Sequence, residues 1–367
     1  MKKRVLVAMS GGVDSSVAAY LLQQQGYECM GVTMRLYENT DAGIPKGHTC
    51  CSLDDVEDAR SVAARLGIPY YVLDFSQEFR SAVMDKFVRT YEAGGTPNPC
   101  IDCNRFMKFE KLLDFAFAHG LNYIVTGHYA RIERDEQSGR YVLKKGVDEG
   151  KDQSYVLYNL TQHQLAHTIF PLGAYSKTEI REMAEKQNFC NARKHDSQDI
   201  CFVPDGDYVG FMEQYTGKHY PAGDYLDLEG NKVGTHEGAV RYTIGQRRGL
   251  RLPMGDRVYV CGKDMEKNTV TVGPESALFA SRVIVRDMNW ISIPALTGEM
   301  RVKAKLRYRQ KEQPAVASPL ADGHILLTFD EAQRAPAVGQ AAVLYDGDTV
   351  VGGGTICAVP ADTEDCV

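Results

Sequence analysis

A glycine loop between a short apolar strand and a helix constrains this chain more than any other feature. Residues 10–15 read Ser-Gly-Gly-Val-Asp-Ser and directly follow the apolar run 5–9. Two adjacent glycines let the backbone approach an anion, and a helix predicted over 15–25 turns unpaired N–H groups and its positive dipole end to the same place. The loop therefore predicts a phosphate site suited to ATP, although the absence of a following Gly-Lys-Ser/Thr disfavours γ-phosphate transfer. The alternative, a tight strand–helix connection without a ligand, is disfavoured by both serines and Asp14.

Length and composition predict several domains in a reducing compartment. The chain has 367 residues, 44% of them hydrophobic, which is enough to form two or three domains. No apolar run approaches the length of a membrane span, so we expect a cytoplasmic protein with no membrane partner. Ten cysteines do not make a disulfide-dense secreted scaffold and point to metal or sulfur chemistry. The net charge of −6 does not exclude a nucleic acid partner.

The first two hundred residues alternate short apolar strands with amphipathic helices. This pattern predicts an α/β domain whose parallel sheet is covered on both faces. The predicted elements are strands at 5–9, 30–34, 70–74 and 123–126, a helix over 53–66, and a helix after the capping-box pair Ser176 and Glu179. Ligands bind beyond the carboxyl ends of such strands, so the loop 10–15, Met34, Gly127 and His128 should converge there. His128 alone fits a packed polar residue equally well.

A change of pattern after about residue 204 predicts a β-rich second half. Short runs of strand-forming residues, separated by Gly, Asp and Asn, replace the helical periodicity there. The expected domains are the α/β domain over 1–205, a small central β-rich domain over 206–275, a C-terminal β-barrel over 276–360 and a tail over 361–367.

Six cations occupy every second position of the segment 301–311 within the predicted barrel. On a straight strand they would form a stripe roughly 33 Å long, which fits a nucleic acid backbone. They are Arg301, Lys303, Lys305, Arg307, Arg309 and Lys311. Arginine offers a planar fork and the neighbouring Tyr308 a stacking face, which favours RNA, whereas a solvated edge strand is the alternative. Four arginines over 241–251 form a second basic cluster.

Two segments with cysteines could carry sulfur. Residues 96–104 read Thr-Pro-Asn-Pro-Cys-Ile-Asp-Cys-Asn, and the two X-Pro steps predict an extended loop that presents its thiols. Cys201 lies in the second segment, 196–202. One thiolate can bind an extra sulfur as a persulfide, and the other can attack it to release sulfide. The alternative is a zinc or iron–sulfur site at Cys50, Cys51, Cys100 and Cys103.

Together these motifs resemble the bacterial tRNA-specific 2-thiouridylases of the PP-loop ATP pyrophosphatase superfamily. The resemblance covers nearly the whole chain and rests on the segments 10–15, 96–104, 127–130, 151–155, 196–202 and 242–250. The first motif is common to PP-loop enzymes, whereas the segments around Cys103, Cys201 and 151–153 are specific to thiouridylases. One departure is Cys100, where many members have an Asp that is thought to assist proton transfer. That role is not carried over, and it passes to Asp102 or to no residue.

The resemblance implies an enzyme that replaces O2 of the wobble uridine of tRNA by sulfur, using ATP and Mg²⁺ and giving AMP and pyrophosphate. It implies ATP contacts from Ala8, Met9, Ser10, Gly11, Gly12, Val13, Asp14, Ser15, Met34 and Gly127, and catalysis by Cys103 and Cys201. It implies tRNA contacts from Asn98, Pro99, Cys100, His128, Lys151, Asp152, Gln153, Arg307, Tyr308 and Gln340. An ordinary polar helix start is the alternative for 151–153. The implied partners are a tRNA with a wobble uridine and a protein that donates persulfide sulfur; no stable metal is expected.

Two other functions stay open from the residues alone. An amide ligase or small-molecule synthetase with the same ATP loop would need a carboxylate substrate and ammonia, and it would leave the paired thiols and the basic stripe unexplained. A non-catalytic RNA-binding module with structural zinc would contain stoichiometric metal and turn over no ATP.

Overall fold

The computed structural model describes residues 3–37, 53–196, 200–253 and 257–360. Its described residues form two compact units. The first unit consists of the described residues within Met1–Met84, Pro99–Phe211 and Gly347–Val350. The second consists of those within Asp85–Asn98, Met212–Asp346 and Val351–Val367. Within the described ranges, no helix has the length and apolar character that crossing a bilayer requires.

The regular elements follow in chain order. The strands are β1 Arg4–Ala8, β2 Glu28–Arg35, β3 Tyr70–Asp74, β4 Tyr123–Val125, β5 Ala130–Arg134, β6 Tyr141–Lys145, β7 Thr168–Ile169, β8 Gly223–Leu226, β9 Lys232–His236, β10 Tyr259–Asp264, β11 Thr269–Gly273, β12 Phe279–Trp290, β13 Met300–Lys305, β14 Gln313–Pro319, β15 Ile325–Arg334, β16 Ala341–Asp346 and β17 Thr349–Ala358. The α-helices are α1 Val13–Gln24, α2 Leu53–Leu66, α3 Ser76–Phe79, α4 Asp85–Glu92, α5 Pro99–Asp102, α6 Leu112–Ala118, α7 Gln162–Ala166, α8 Lys177–Lys186 and α9 Tyr208–Thr216. Two π-helical segments, Arg80–Met84 and Cys103–Lys111, continue α3 and α5.

The first unit contains a parallel five-stranded sheet in the order β3-β2-β1-β4-β7. The central strand β1 is buried over 5–7, and apolar residues of α1 and α2 pack into the same core. Burial on both faces is the reason that the central strand β1 is apolar throughout after Arg4. The predicted parallel sheet is confirmed, and the strand predicted over 70–74 has the same bounds as β3.

Helix α8 begins where its sequence signature predicts. The Ser176 backbone N–H donates to the Glu179 carboxylate at 2.7 Å, and the Glu179 N–H donates to the Ser176 hydroxyl at 3.4 Å. This reciprocal capping box satisfies two backbone donors that the first helical turn leaves without a partner. It also makes Lys177 the first residue of the helix.

The second unit contains two β structures. A four-stranded sheet has the order β10-β11-β8-β9, and six strands in the order β12-β15-β14-β13-β16-β17 close into a barrel because β17 also pairs with β12. Alternate residues of these strands fill the barrel interior, among them Val302 and Ala304 of β13. The predicted β-rich second half with a C-terminal barrel is confirmed. The boundaries at 205, 275 and 360 stay predictions, and the tail 361–367 lies outside the described residues.

The prediction of one straight cationic stripe over 301–311 is wrong. Strand β13 ends at Lys305, and a turn follows in which the Gln310 N–H donates to the Arg307 carbonyl at 3.1 Å. The Gln310 side chain also accepts from the Leu306 N–H at 2.9 Å, which stabilises the turn. The alternation of side chains therefore stops after three cations, because it depends on an extended backbone. The first of them, Arg301, forms an ion pair with the Asp330 carboxylate.

Candidate functional site

The loop 10–15 has the geometry of an anion site. The Ser15 hydroxyl accepts from the Ser10 N–H at 3.2 Å and donates to the Gly12 carbonyl at 3.1 Å, which fixes the loop across its width. Gly12 is the N-cap of α1, and no side chain caps that helix. Gly11 has φ +74°, and a Cβ there would lie 2.3 Å from the Asp55 carbonyl oxygen, so only glycine fits. The positive end of the α1 dipole thus opens onto a rigid loop.

Gly127 lies against the start of α1. A Cβ at this position would be 2.8 Å from both the backbone carbon of Asp14 and the nitrogen of Ser15. Met9 extends the pairing of β1 with β2, since its N–H donates to the Val32 carbonyl at 2.8 Å. The structure thereby brings the loop, the end of β2 near Met34 and Gly127 to the same edge of the sheet, as their positions after parallel strands predict.

Charged side chains form a chain of contacts beside this loop, which we call the charge cluster: Asp14, Lys177, Asp196, Lys151 and Arg181. The Lys177 ammonium lies 2.8 Å from Asp14 Oδ1 and 2.8 Å from Asp196 Oδ1. Asp196 also accepts from Lys151 at 2.8 Å and from Arg181 at 3.2 Å. Burial alone would raise the pKa of Asp196, but the hydrogen bonds from Lys151 and Lys177 outweigh it and lower the pKa to about 2. Asp196 therefore stays ionised at neutral pH.

Several residues at this site were not predicted from the sequence. The Tyr129 hydroxyl donates to Asp14 Oδ1 at 2.7 Å, and burial first, then the Asp14 charge, raises the pKa of Tyr129. The Asn191 amide donates at 2.9 Å to both the Gly11 carbonyl and the Ser16 hydroxyl. The capping box located Lys177 at a helix start, but no sequence signal identified its partner 163 positions away.

The two predicted catalytic cysteines lie on segments that pack against the same element. Cys103 begins the second π-helical segment and Cys201 lies in a loop, and both are half-buried and reduced. The Tyr37 hydroxyl, just after β2, donates to the Cys201 carbonyl. Phe202 packs edge-on against Phe79 of α3 with ring centroids 5.7 Å apart. Helix α5, directly before Cys103, packs against the π-helical segment that continues α3.

The prediction that 96–104 is an extended loop is wrong from Pro99 onward. Pro99 starts α5, which leads into the π-helical segment at Cys103. Proline is favoured at the first helical position because its ring presets φ and the missing N–H has no helical partner there. Cys100 is exposed on the helix, whereas Asp102 is buried.

The four-cysteine metal alternative falls partly outside the described residues, because Cys50 and Cys51 do. Within the ranges that are described, no three His, Cys, Asp or Glu side chains are grouped as metal ligands.

The residues predicted to contact tRNA in the first unit also hold loops together. Lys151 belongs to the charge cluster, and the Asp152 carboxylate accepts from the Ser154 N–H at 3.1 Å. The Gln153 side chain accepts from the Tyr129 N–H at 3.0 Å. His128 is buried and contacts Thr126 Oγ1 at 2.6 Å. Burial, with a smaller effect of the Lys108 charge, lowers the pKa of His128 well below its usual value. Their contact with tRNA stays a prediction.

The predicted tRNA residues of the second unit differ in exposure. The Arg307 guanidinium donates to the Ile244 carbonyl at 3.3 Å and to the Ala335 carbonyl. The Gln340 amide donates to the Thr96 carbonyl at 3.0 Å, two residues before Asn98. Tyr308 is 38% exposed. Arg307 and Gln340 therefore stabilise this unit, whatever else they contact.

Comparisons with known proteins agree with this geometry. Family models match residues 3–205 (tRNA methyl transferase HUP domain), 209–274 (tRNA methyl transferase PRC-barrel domain) and 280–356 (aminomethyltransferase β-barrel domain). The tRNA-specific 2-thiouridylase MnmA of Clostridioides difficile (strain 630) is 49% identical over 97% of this chain and 98% of its own length. The tRNA-specific 2-thiouridylase MnmA 1 of Thermoanaerobacter sp. (strain X514) is 51% identical over 97% and 99%.

Among solved structures, a 4-thiouridine synthetase–RNA complex with bound ATP matches at 17% identity and a TM-score of 0.33, over 58% of this chain and 50% of that one. That similarity is too low to support an argument. The full-length matches at about 50% identity are decisive. This chain belongs to the family of tRNA-specific 2-thiouridylases.

Proposed function

We propose that this protein uses ATP to convert the wobble uridine of tRNA to 2-thiouridine, releasing AMP and pyrophosphate. The observation that carries the proposal is the identity of about half of the residues to 2-thiouridylases over 97% of the chain. The rigid anion loop at α1 and the two cysteine segments that pack on one element supply the groups that such a reaction needs.

The first step is adenylation of the uracil. O2 attacks the α-phosphorus of ATP, the bond from that phosphorus to the bridging oxygen breaks, and pyrophosphate leaves with the electron pair. The loop 10–15 and the N-terminus of α1 would hold the phosphates, because their N–H groups and dipole stabilise negative charge. Asp14 and the phosphates of ATP offer the oxygen donors that would hold Mg²⁺, and the ion would offset the charge of the leaving pyrophosphate.

The second step is sulfur transfer through the two cysteines. A donor protein leaves Cys201 as a persulfide. The Cys103 thiolate attacks Sγ of Cys201, the S–S bond of the persulfide breaks, and the outer sulfur leaves as sulfide while a Cys103–Cys201 disulfide forms. Sulfide attacks C2 of the adenylated uracil, and AMP leaves with the former O2. An external dithiol then reduces the disulfide. The packing of both segments against residues 76–84 supports this pairing.

The proton transfers of these steps lack an assigned group. Cys100 is exposed, while the nearby Asp102 is buried. We therefore assign the role to neither side chain, and the proposal depends only on the nucleotide loop and the two thiols.

The experiment combines the protein, ATP, Mg²⁺, a persulfide donor and unmodified tRNA, followed by mass analysis of the digested nucleosides. The expected product is 2-thiouridine, with pyrophosphate release that requires tRNA. ATP hydrolysis at the same rate without tRNA, or unmodified uridine in the complete reaction, would refute the proposal.

A variant pair tests the sulfur route. Cys201→Ser should lose thiolation from the persulfide donor yet keep tRNA-dependent pyrophosphate release, because adenylation needs no thiol. The matched control is Cys190→Ser, another cysteine outside any disulfide, which should thiolate as the wild type does. A Cys201→Ser protein that still thiolates would remove Cys201 from the mechanism.

A further inference from the structure

Lys177 is a nearly buried cation at the entrance of the nucleotide loop. Its side chain is only 10% exposed, and its ammonium contacts both carboxylate oxygens of Asp14, at 2.8 and 2.9 Å, and Asp196 Oδ1 at 2.8 Å. The ammonium also lies 5.8 Å from the centre of the Tyr129 ring. These contacts hold one positive charge at a defined place next to the second residue of α1.

One of the two N–H groups that Lys177 donates to Asp14 can change its acceptor to a ligand oxygen. An ammonium has three N–H donors, and here two of them serve the two oxygens of one carboxylate, although one would maintain the ion pair. Asp14 is itself 31% exposed, and it stands where Gly127 meets the start of α1. A phosphate in the loop would bring negative charge close to this carboxylate, which requires a compensating cation. Lys177 supplies that cation without a change of its backbone position.

We propose that Lys177 is a nucleotide-binding residue whose ammonium contacts the β- or γ-phosphate of ATP, exchanging one of its two Asp14 contacts for a phosphate oxygen. The proposal rests on the function proposed above. The same contact stabilises the pyrophosphate as it leaves, since its charge grows while the bond to the α-phosphorus breaks. Asp196 keeps the third donor and competes with the phosphate for the ammonium.

Four other charged side chains lie around Lys177 besides Asp14. Beyond Asp14 and Asp196, the Asp148 carboxylate accepts from the Lys177 backbone N–H at 2.9 Å, so it positions the helix start rather than the ammonium. Arg181 contacts the same Asp196 oxygen as Lys177, Oδ1, and Lys151 contacts Oδ2, so both balance part of the Asp196 charge. Substitution at Asp196 therefore changes the competition for the ammonium while the contact with Asp14 stays in place.

The experiment measures the dissociation constants of ATP and AMP with Mg²⁺ by isothermal titration calorimetry. Lys177→Met should weaken ATP roughly 10- to 100-fold, the loss of one charge-assisted hydrogen bond, and leave AMP within about twofold. Lys177→Arg should recover part of the ATP affinity. The control is Lys186→Met at the end of the same helix, where the lysine side chain is 75% exposed and pairs with Glu182 at 3.8 Å, and it should bind both nucleotides as the wild type does.

Two results would overturn the proposal: an unchanged ATP affinity in Lys177→Met, or an equal loss for ATP and AMP, which indicates a structural effect. If Lys177→Met does not fold, Asp196→Asn decides. Removing the competing charge should tighten ATP roughly two- to fivefold, whereas a purely structural ion pair predicts unchanged or weaker binding. A wild-type protein that binds ATP but leaves tRNA unmodified would refute the proposed function and leave the role of Lys177 intact.

Discussion

Replacing Gly127 by alanine tests whether the contact between the β4 end and α1 shapes the nucleotide loop. The new Cβ would lie 2.8 Å from the backbone carbon of Asp14 and from the nitrogen of Ser15, about 0.6 Å closer than the 3.4 Å of an ordinary contact. Both atoms belong to the helix backbone, so no flexible side chain can give way. Overpacking of this kind costs about 1–3 kcal/mol, and the displacement falls on the N–H groups that we propose bind the phosphates. We expect ATP binding to weaken by roughly 5- to 150-fold.

Calorimetric titration with ATP and a thermal melt measure the two consequences. The matched control is Gly298→Ala, since a Cβ at Gly298 meets no atom within 4 Å and should change neither quantity. An ATP affinity of Gly127→Ala within twofold of the wild type would refute the reasoning. Equal losses for Gly127→Ala and Gly298→Ala would show that the effect does not arise from the loop.

Three further predictions concern individual side chains. In the folded protein His128 stays neutral, whereas in the unfolded chain it gains a proton below about pH 6.5. The free energy of unfolding should therefore fall as the pH drops below about 6.5, by up to about 1.4 kcal/mol per pH unit. Urea unfolding should show this pH dependence in the wild type and not in His128→Gln. Arg307→Ala should lower the free energy of unfolding by about 1.5–3 kcal/mol, because the carbonyls of Ile244 and Ala335 lose a charged donor; unchanged stability would contradict this. Lys303→Ala should reduce the slope of log affinity for tRNA against log salt by roughly one, and an unchanged slope would place the exposed face of β13 away from phosphates.

Local sequence determined the scaffold of the site. Adjacent glycines after an apolar strand, the strand–helix alternation and the Ser176–Glu179 spacing each act over a few residues, and each predicted the structure found. The convergence of the loop and Gly127 also followed from the sequence, because the carboxyl ends of parallel strands share one edge.

Two segments that the sequence predicted to be extended are not extended over their whole length. Alternating cations over 301–311 and two prolines over 96–104 both suggested extended chain. Instead, the Leu306 N–H donates to the Gln310 side chain and closes a turn, and Pro99 starts a helix. Neither the turn nor the helix follows from the periodicity of the sequence, because each depends on which groups accept the backbone hydrogen bonds or donate to them.

The sequence by itself determined that this chain has a glycine loop before a helix on a parallel sheet, two cysteine segments and a β-rich second half. Only the tertiary structure decided that Lys177 lies between Asp14 and Asp196 and that Arg307 turns to backbone carbonyls. The physical reason is range: backbone conformation responds to neighbouring residues, whereas ion pairs and buried hydrogen bonds join side chains that only the folded chain brings together.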